Sequence, residues 1–168
     1  MSAFDLARSL EAAAARFGPR TERTPRADRG ASRLDPRVER RLHALLRGQD
    51  RPAIATVVAE LRRFCGPRRL RAPSRATVYN AIARVPSHAY AFAELPAYVR
   101  DALYNLDGSA TVPGHQLAFY AFQYGDTRAM SFAAGLPWID LVHADHLRGW
   151  RPRSHGLLRA VLARRGIA

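Results

Sequence analysis

Between residues 35 and 85 apolar side chains recur at three- and four-residue intervals in three successive blocks, each bounded by proline or glycine. In DPRVERRLHALLR, residues 35–47, Val38, Leu42, Leu45 and Leu46 share one helical face, Asp35 stands as N-cap and Pro36 at the first helical position. Residues 52–65, PAIATVVAELRRFC, repeat the plan with Ile54, Val57, Val58, Leu61 and Phe64 or Cys65, and Gly66-Pro67 stops them. Residues 74–85, SRATVYNAIARV, predict a third helix capped by Ser74 and buried through Val78, Ile82 and Val85, with Pro86 closing it.

The flanking pattern is less uniform. Residues 2–17 predict a short helical arm with Phe4, Leu6, Leu10, Ala14 and Phe17 close to one face, and residues 18–33, rich in Pro, Gly and Arg, a flexible basic linker. HAYAF, residues 88–92, alternates like a strand. Helices are expected over 96–106, 126–134 with Asp126 as cap, 137–148, and 154–165 with Ser154 as cap; Asp107-Gly108 reads as a turn. The aromatic run GHQLAFYAFQY, residues 114–124, suits a buried helix or a strand equally. The fold class is therefore mainly α. The domain order read from it is an arm (1–17), a linker (18–33), a three-helix unit (34–93) and an α-helical C-terminal region with a basic tail (94–168).

Charge changes the picture. The chain of 168 residues carries a formal net charge of +13, and all 27 basic residues are arginine. Residues 1–84 hold +11, residues 85–147 hold −4 and residues 148–168 hold +6. A GC-rich coding bias explains arginine over lysine but not this division. An acidic middle between basic ends points particular surfaces at a polyanion.

The run of residues 62–75 is the densest: Arg62, Arg63, Arg68, Arg69, Arg71 and Arg75 with no acid among them. It leads into PSRATVYNAIARV, which resembles the recognition helices of helix-turn-helix proteins, such as the DNA-binding domains of resolvases and invertases and many bacterial repressors. The resemblance covers residues 51–85. The connector GPRRLRAP is longer than the tight turn of the simplest helix-turn-helix, which matches winged-helix variants and would make 88–92 part of a wing. The resemblance implies a winged-helix-like helix-turn-helix unit followed by a small α-helical region.

With Val78, Ile82 and Val85 buried, Arg75, Thr77 and Asn80 face a major groove, where arginine suits guanine, asparagine suits adenine, and threonine suits either or a thymine methyl; the alternative for Thr77 is partial burial. Tyr79 can approach a phosphate or pack on the first helix. Ser74 and Arg84 flank the reading surface, and the connector arginines supply phosphate contacts. Six such contacts imply a slope of log K against log salt of about −5. The expected partner is double-stranded DNA, read by a homodimer on paired half-sites. The expected role is a cytoplasmic, nucleoid-associated transcriptional regulator without cofactor or enzymatic activity.

Other classes remain to be separated. One is a non-specific DNA- or RNA-binding arginine clamp. Another is a nucleic-acid-processing enzyme with a His or Tyr of the acidic middle as catalyst. A third is an adaptor docking a protein through the N-terminal helix or residues 95–147; an antitoxin-like autorepressor would combine that with DNA binding. Little else carries chemistry. His143 and His146, with Asp140 and Asp145 near, lack a third metal ligand in a known motif, so no metal is expected. Walker and Gly-x-Ser-x-Gly motifs are missing, no run is long enough to span a membrane, and the one cysteine, Cys65, reads as structural. Tyr90, Tyr98, Tyr104, Tyr120 and Tyr124, with Phe119, Phe122 and Phe132, are expected in the core. In the tail, Trp150 lies between Arg148 and Arg151, and Arg159, Arg164 and Arg165 either face a polyanion or cap the last helix.

Overall fold

A computed structural model describes residues 34–108 and 110–167. The expected N-terminal arm and the linker lie outside the described residues. The described chain is mainly α.

Helix α1 spans Pro36–Leu46, and Asp35 caps it by accepting the Arg37 amide at 2.8 Å. Its stripe of Val38, Leu42 and Leu46 is fully buried. Helix α2 spans Ile54–Cys65 and buries Ile54, Val57, Val58, Leu61 and Cys65 against α1. A short 3₁₀ turn, Gly66–Arg68, continues it and ends in Arg69 at φ 53°, a left-handed conformation that costs a non-glycine residue about 1 kcal/mol. Helix α3 runs Arg75–Ile82, capped by the Ser74 side chain. It is shorter than the expected 74–85: after Ile82 the backbone tightens into a turn, and Val85 reaches the core from that turn.

Strand β1, Ala89–Ala91, follows α3 where a wing strand would stand. Its antiparallel partner β2, Thr111–Pro113, pairs Tyr90 with Val112. Between the strands the chain inserts a 3₁₀ turn, helix α4 (Ala97–Arg100) and a second 3₁₀ turn, Asp101–Leu103. The helix expected over 96–106 is thus short and broken.

The ambiguous segment 114–124 is helix α5, Gly114–Tyr124, packed on α6 (Thr127–Ala134), α7 (Trp138–Asp145) and α8 (Pro152–Arg164). Asp126 caps α6 by accepting the Ala129 amide at 2.8 Å. The α5–α6 corner requires Gly125, where an added Cβ would stand 2.5 Å from the Ala121 carbonyl oxygen. Ser154 does not cap α8. The helix starts two residues earlier, at Pro152, and Ser154 is buried inside its first turn.

Residues 34–167 share one continuous core. Trp138 of α7 is 1% exposed and donates its indole N–H to the Leu46 carbonyl at 2.9 Å, fastening the C-terminal helices to α1. Arg165 adds a second fastening. Its guanidinium donates to the carbonyls of Leu136 at 2.6 Å and Gln49 at 2.9 Å, and meets Asp50 at 3.2 Å. Arg165 is also the C-cap residue of α8, its amide bonding the Val161 and Ala163 carbonyls, so of its two expected roles the helix-end one is the one seen, and its guanidinium donors are engaged inside the molecule. Among the described residues no helix is long and apolar enough to cross a membrane.

Candidate nucleic-acid interface

The exposed face of α3 follows from its one fully buried side chain. Val78 is 0% exposed and sets the helix rotation against α2. Arg75, Tyr79, Asn80 and Arg84 then fall on the solvent side, and Ala76 between them is small enough for close approach. Tyr79 stays in solvent rather than packing on the first helix.

Two expected readers are engaged instead in building the helix. Ser74 Oγ accepts the Thr77 amide at 3.2 Å and lies 2.9 Å from Thr77 Oγ1, leaving Thr77 half-buried. The hydroxyls of Ser74 and Thr77 thus bond each other, and Ser74 satisfies the free N–H of the third helical residue, as an N-terminus requires. Of the two placements open to Thr77, outward-facing or partly buried, the structure shows the second.

The arginines divide the same way. Arg63 pairs with Glu60 at 2.9 Å. Arg68 donates to the Phe64 carbonyl at 2.9 Å and covers the Phe64 ring at 4.1 Å. Arg62, Arg69, Arg71, Arg75 and Arg84 are exposed, and their guanidiniums make no hydrogen bond or ion pair with any described residue. The left-handed turn at Arg69 directs the connector back toward the start of α3, so Arg69, Arg71 and Arg75 follow one another into a helix end that already favours anions.

Behind α3 lies a polar cluster that the sequence pattern did not reveal. Ile82 O can only accept, so His143 Nε2, 3.1 Å away, carries the proton. In the tautomer with its proton on Nε2, His143 accepts at Nδ1 from Ser87 Oγ at 3.2 Å. Ser87, having donated to His143, accepts from His115 Nδ1 at 2.7 Å. The relay runs His115, Ser87, His143, Ile82, and joins α5 and α7 to the exit of α3. Burial and the neighbouring His143 hold His115 below the ordinary imidazole range.

Beside the relay, Asp140 is fully buried yet satisfied. It accepts the His88 amide at 2.9 Å and faces His88 Nδ1 at 3.0 Å. The Tyr90 phenol bonds to it as well, and burial together with the Asp140 charge pushes that phenol up to about 12. Gly114 admits the carboxylate: a Cβ there would stand 2.4 Å from the Asp140 carboxyl carbon. Asp140 and His143 were visible in the sequence only as an incomplete metal motif. Among the described residues no group of three or more His, Cys, Asp or Glu is arranged to hold a metal ion. Cys65 is buried, and burial pushes its thiol up, away from reactivity.

No protein-family model, curated protein sequence or solved structure matches the chain.

Proposed function

We propose that this chain is a sequence-specific DNA-binding protein, a transcriptional regulator that reads the major groove with α3. The observation that carries the reading is the capped α3 itself. Arg75 and Asn80 are exposed and uncommitted on one face, Val78 anchors the other, and the free connector arginines Arg69 and Arg71 adjoin its N-terminus. A base-reading helix needs that combination of rigid seating, free donors and adjacent phosphate contacts. Arg75 is suited to a guanine edge and Asn80 to an adenine edge. A homodimer reading two half-sites would enlarge an interface that is small for one unit.

Titration of a labelled duplex over a series of salt concentrations tests this. If the free arginines Arg62, Arg69, Arg71, Arg75 and Arg84 meet phosphates, log K should fall against log salt with a slope of about −4 to −5. Substitution of Arg75 and Asn80 by alanine should then narrow the gap between specific and random duplexes. An equal loss on every duplex would make the chain a non-specific arginine clamp.

A further inference from the structure

The end of α5 remote from the relay carries a second, unused surface. His115 and Tyr124 are nine residues apart on this helix, about 13 Å along its axis. At the Tyr124 end six rings touch in series. Tyr104 meets Tyr124 at 5.7 Å, Tyr124 meets Tyr120 at 5.9 Å, and Tyr120 meets Phe119 at 5.6 Å between centroids. Phe119 meets Trp150 at 4.6 Å, and Trp150 stacks on His155 at 5.3 Å. The Trp150 end is half-buried, whereas Tyr104 is 70% and Tyr124 42% exposed. Both had been expected in the core.

The array is held rigidly. Gln123, only 7% exposed, donates to the Gly149 carbonyl at 2.9 Å and accepts the Arg151 amide at 2.9 Å. Trp150 donates its indole N–H to the Ala144 carbonyl at 2.9 Å. Gly149 takes φ 88°, which lets the chain turn onto this clamp. Arg151 is thereby laid over the Tyr124 ring at 5.0 Å. Arg148 and Arg153, close to it in sequence, are exposed, and neither they nor Arg151 pair with a described carboxylate. Residues 148–168 contain no acid, and the nearest carboxylate in sequence, Asp145, is engaged by His155 at 2.7 Å and Arg159 at 3.3 Å.

We propose that Tyr104, Tyr124 and Arg151 form a binding site for an unpaired nucleic-acid strand. Exposed phenol rings offer stacking faces to bases of any sequence, and a guanidinium with no carboxylate partner among the described residues offers phosphate contacts. The two rings stand at 84° to each other. Bases of a duplex are parallel and cannot lie on both, whereas a single strand can splay its bases to do so. Clamping by Gln123 sets the Arg151 side of the surface in advance, which lowers the ordering cost on binding there.

This inference is independent of the reading of α3, and one experiment separates the two. The full-length chain is titrated against a labelled oligothymidylate of about twelve nucleotides, a length within the usual site range. Combined Tyr104→Ala and Tyr124→Ala should weaken binding by about tenfold per ring, while Tyr104→Phe with Tyr124→Phe should retain it, since stacking needs the ring and not the hydroxyl. Arg75→Ala with Asn80→Ala should leave oligothymidylate binding unchanged even where it impairs duplex binding. Binding insensitive to loss of both rings overturns the proposal. So does a drop in the mass of the assembly on losing them, because the rings would then be a contact between copies of the chain.

Discussion

His143 Nε2 lies 3.1 Å from the carbonyl oxygen of Ile82, so a side chain of α7 adds a second hydrogen bond to a carbonyl at the end of α3 that also accepts the Val85 amide at 3.2 Å. The consequence is mechanical. The proposed reading helix is not an isolated three-helix module but is braced from the C-terminal region, through Ser87 to His115 as well. His143→Phe keeps a ring and removes both hydrogen bonds. It should cost about 1–2 kcal/mol in urea unfolding and weaken duplex binding without changing which sequence is preferred. Unchanged stability would mean that solvent replaces the brace at no cost.

His115 gives this region a pH dependence. Its folded-state pKa is depressed, so the unfolded chain takes up the proton first as pH falls. The stabilising contribution is therefore complete above the unfolded value of about 6.5 and is lost as pH drops through the folded value. His115→Gln should flatten the stability profile below about pH 6.5. A profile identical to the parent's would remove His115 as the source.

Tyr90 has the opposite sign. With its phenol held neutral up to about 12, it stabilises the fold below the ordinary tyrosine range of about 10, and that contribution disappears as pH rises through the folded value. In an ultraviolet titration one tyrosine should ionise later than the rest, and Tyr90→Phe should abolish that late step.

Gly114→Ala should be destabilising by about 1–3 kcal/mol, because the new methyl would stand 2.4 Å from the buried Asp140 carboxyl carbon. Asp140 cannot move away without losing the His88 amide and the Tyr90 phenol. Thermal unfolding of the variant measures the effect; a melting temperature equal to the parent's would show that the carboxylate has room to move.

The arginines should separate into two groups. Arg165→Ala should lower stability by about 2–3 kcal/mol, since it removes charge-assisted bonds to the Leu136 and Gln49 carbonyls. Arg71→Ala should leave stability within about 0.5 kcal/mol and lower the salt slope of duplex binding by about one. Reversed results would relocate the polyanion surface to the tail.

What the sequence disclosed follows from how local each signal is. Asp35 with Pro36, Ser74 and Asp126 announced their helices because a cap acts within four residues of itself, and Val38, Leu42 and Leu46 gave the buried stripe by periodicity alone. Strand β2 was silent, since a three-residue strand ending in Pro113 is defined only by its partner. Ser154 misled because a buried serine inside a helix has the same local sequence as a cap. The relay joins Ser87 to His115 and His143 across 28 and 56 residues, and no pattern of period two or 3.6 reports such distances. Within the reading surface, the exposure of Arg75 and Asn80 was legible. The diversion of Thr77 into the cap was not, because hydroxyl geometry decides it.

The central claim is that α3 distinguishes one DNA sequence from another. The most direct test is selection of the purified full-length chain on a random duplex pool at two salt concentrations, followed by sequencing of the bound fraction. The account predicts one enriched motif at both salts, with two related half-sites if the chain binds as a dimer, and loss of preference at single positions in Arg75→Ala and Asn80→Ala. Salt-sensitive retention of the pool with nothing enriched, or no retention at either salt, would contradict it.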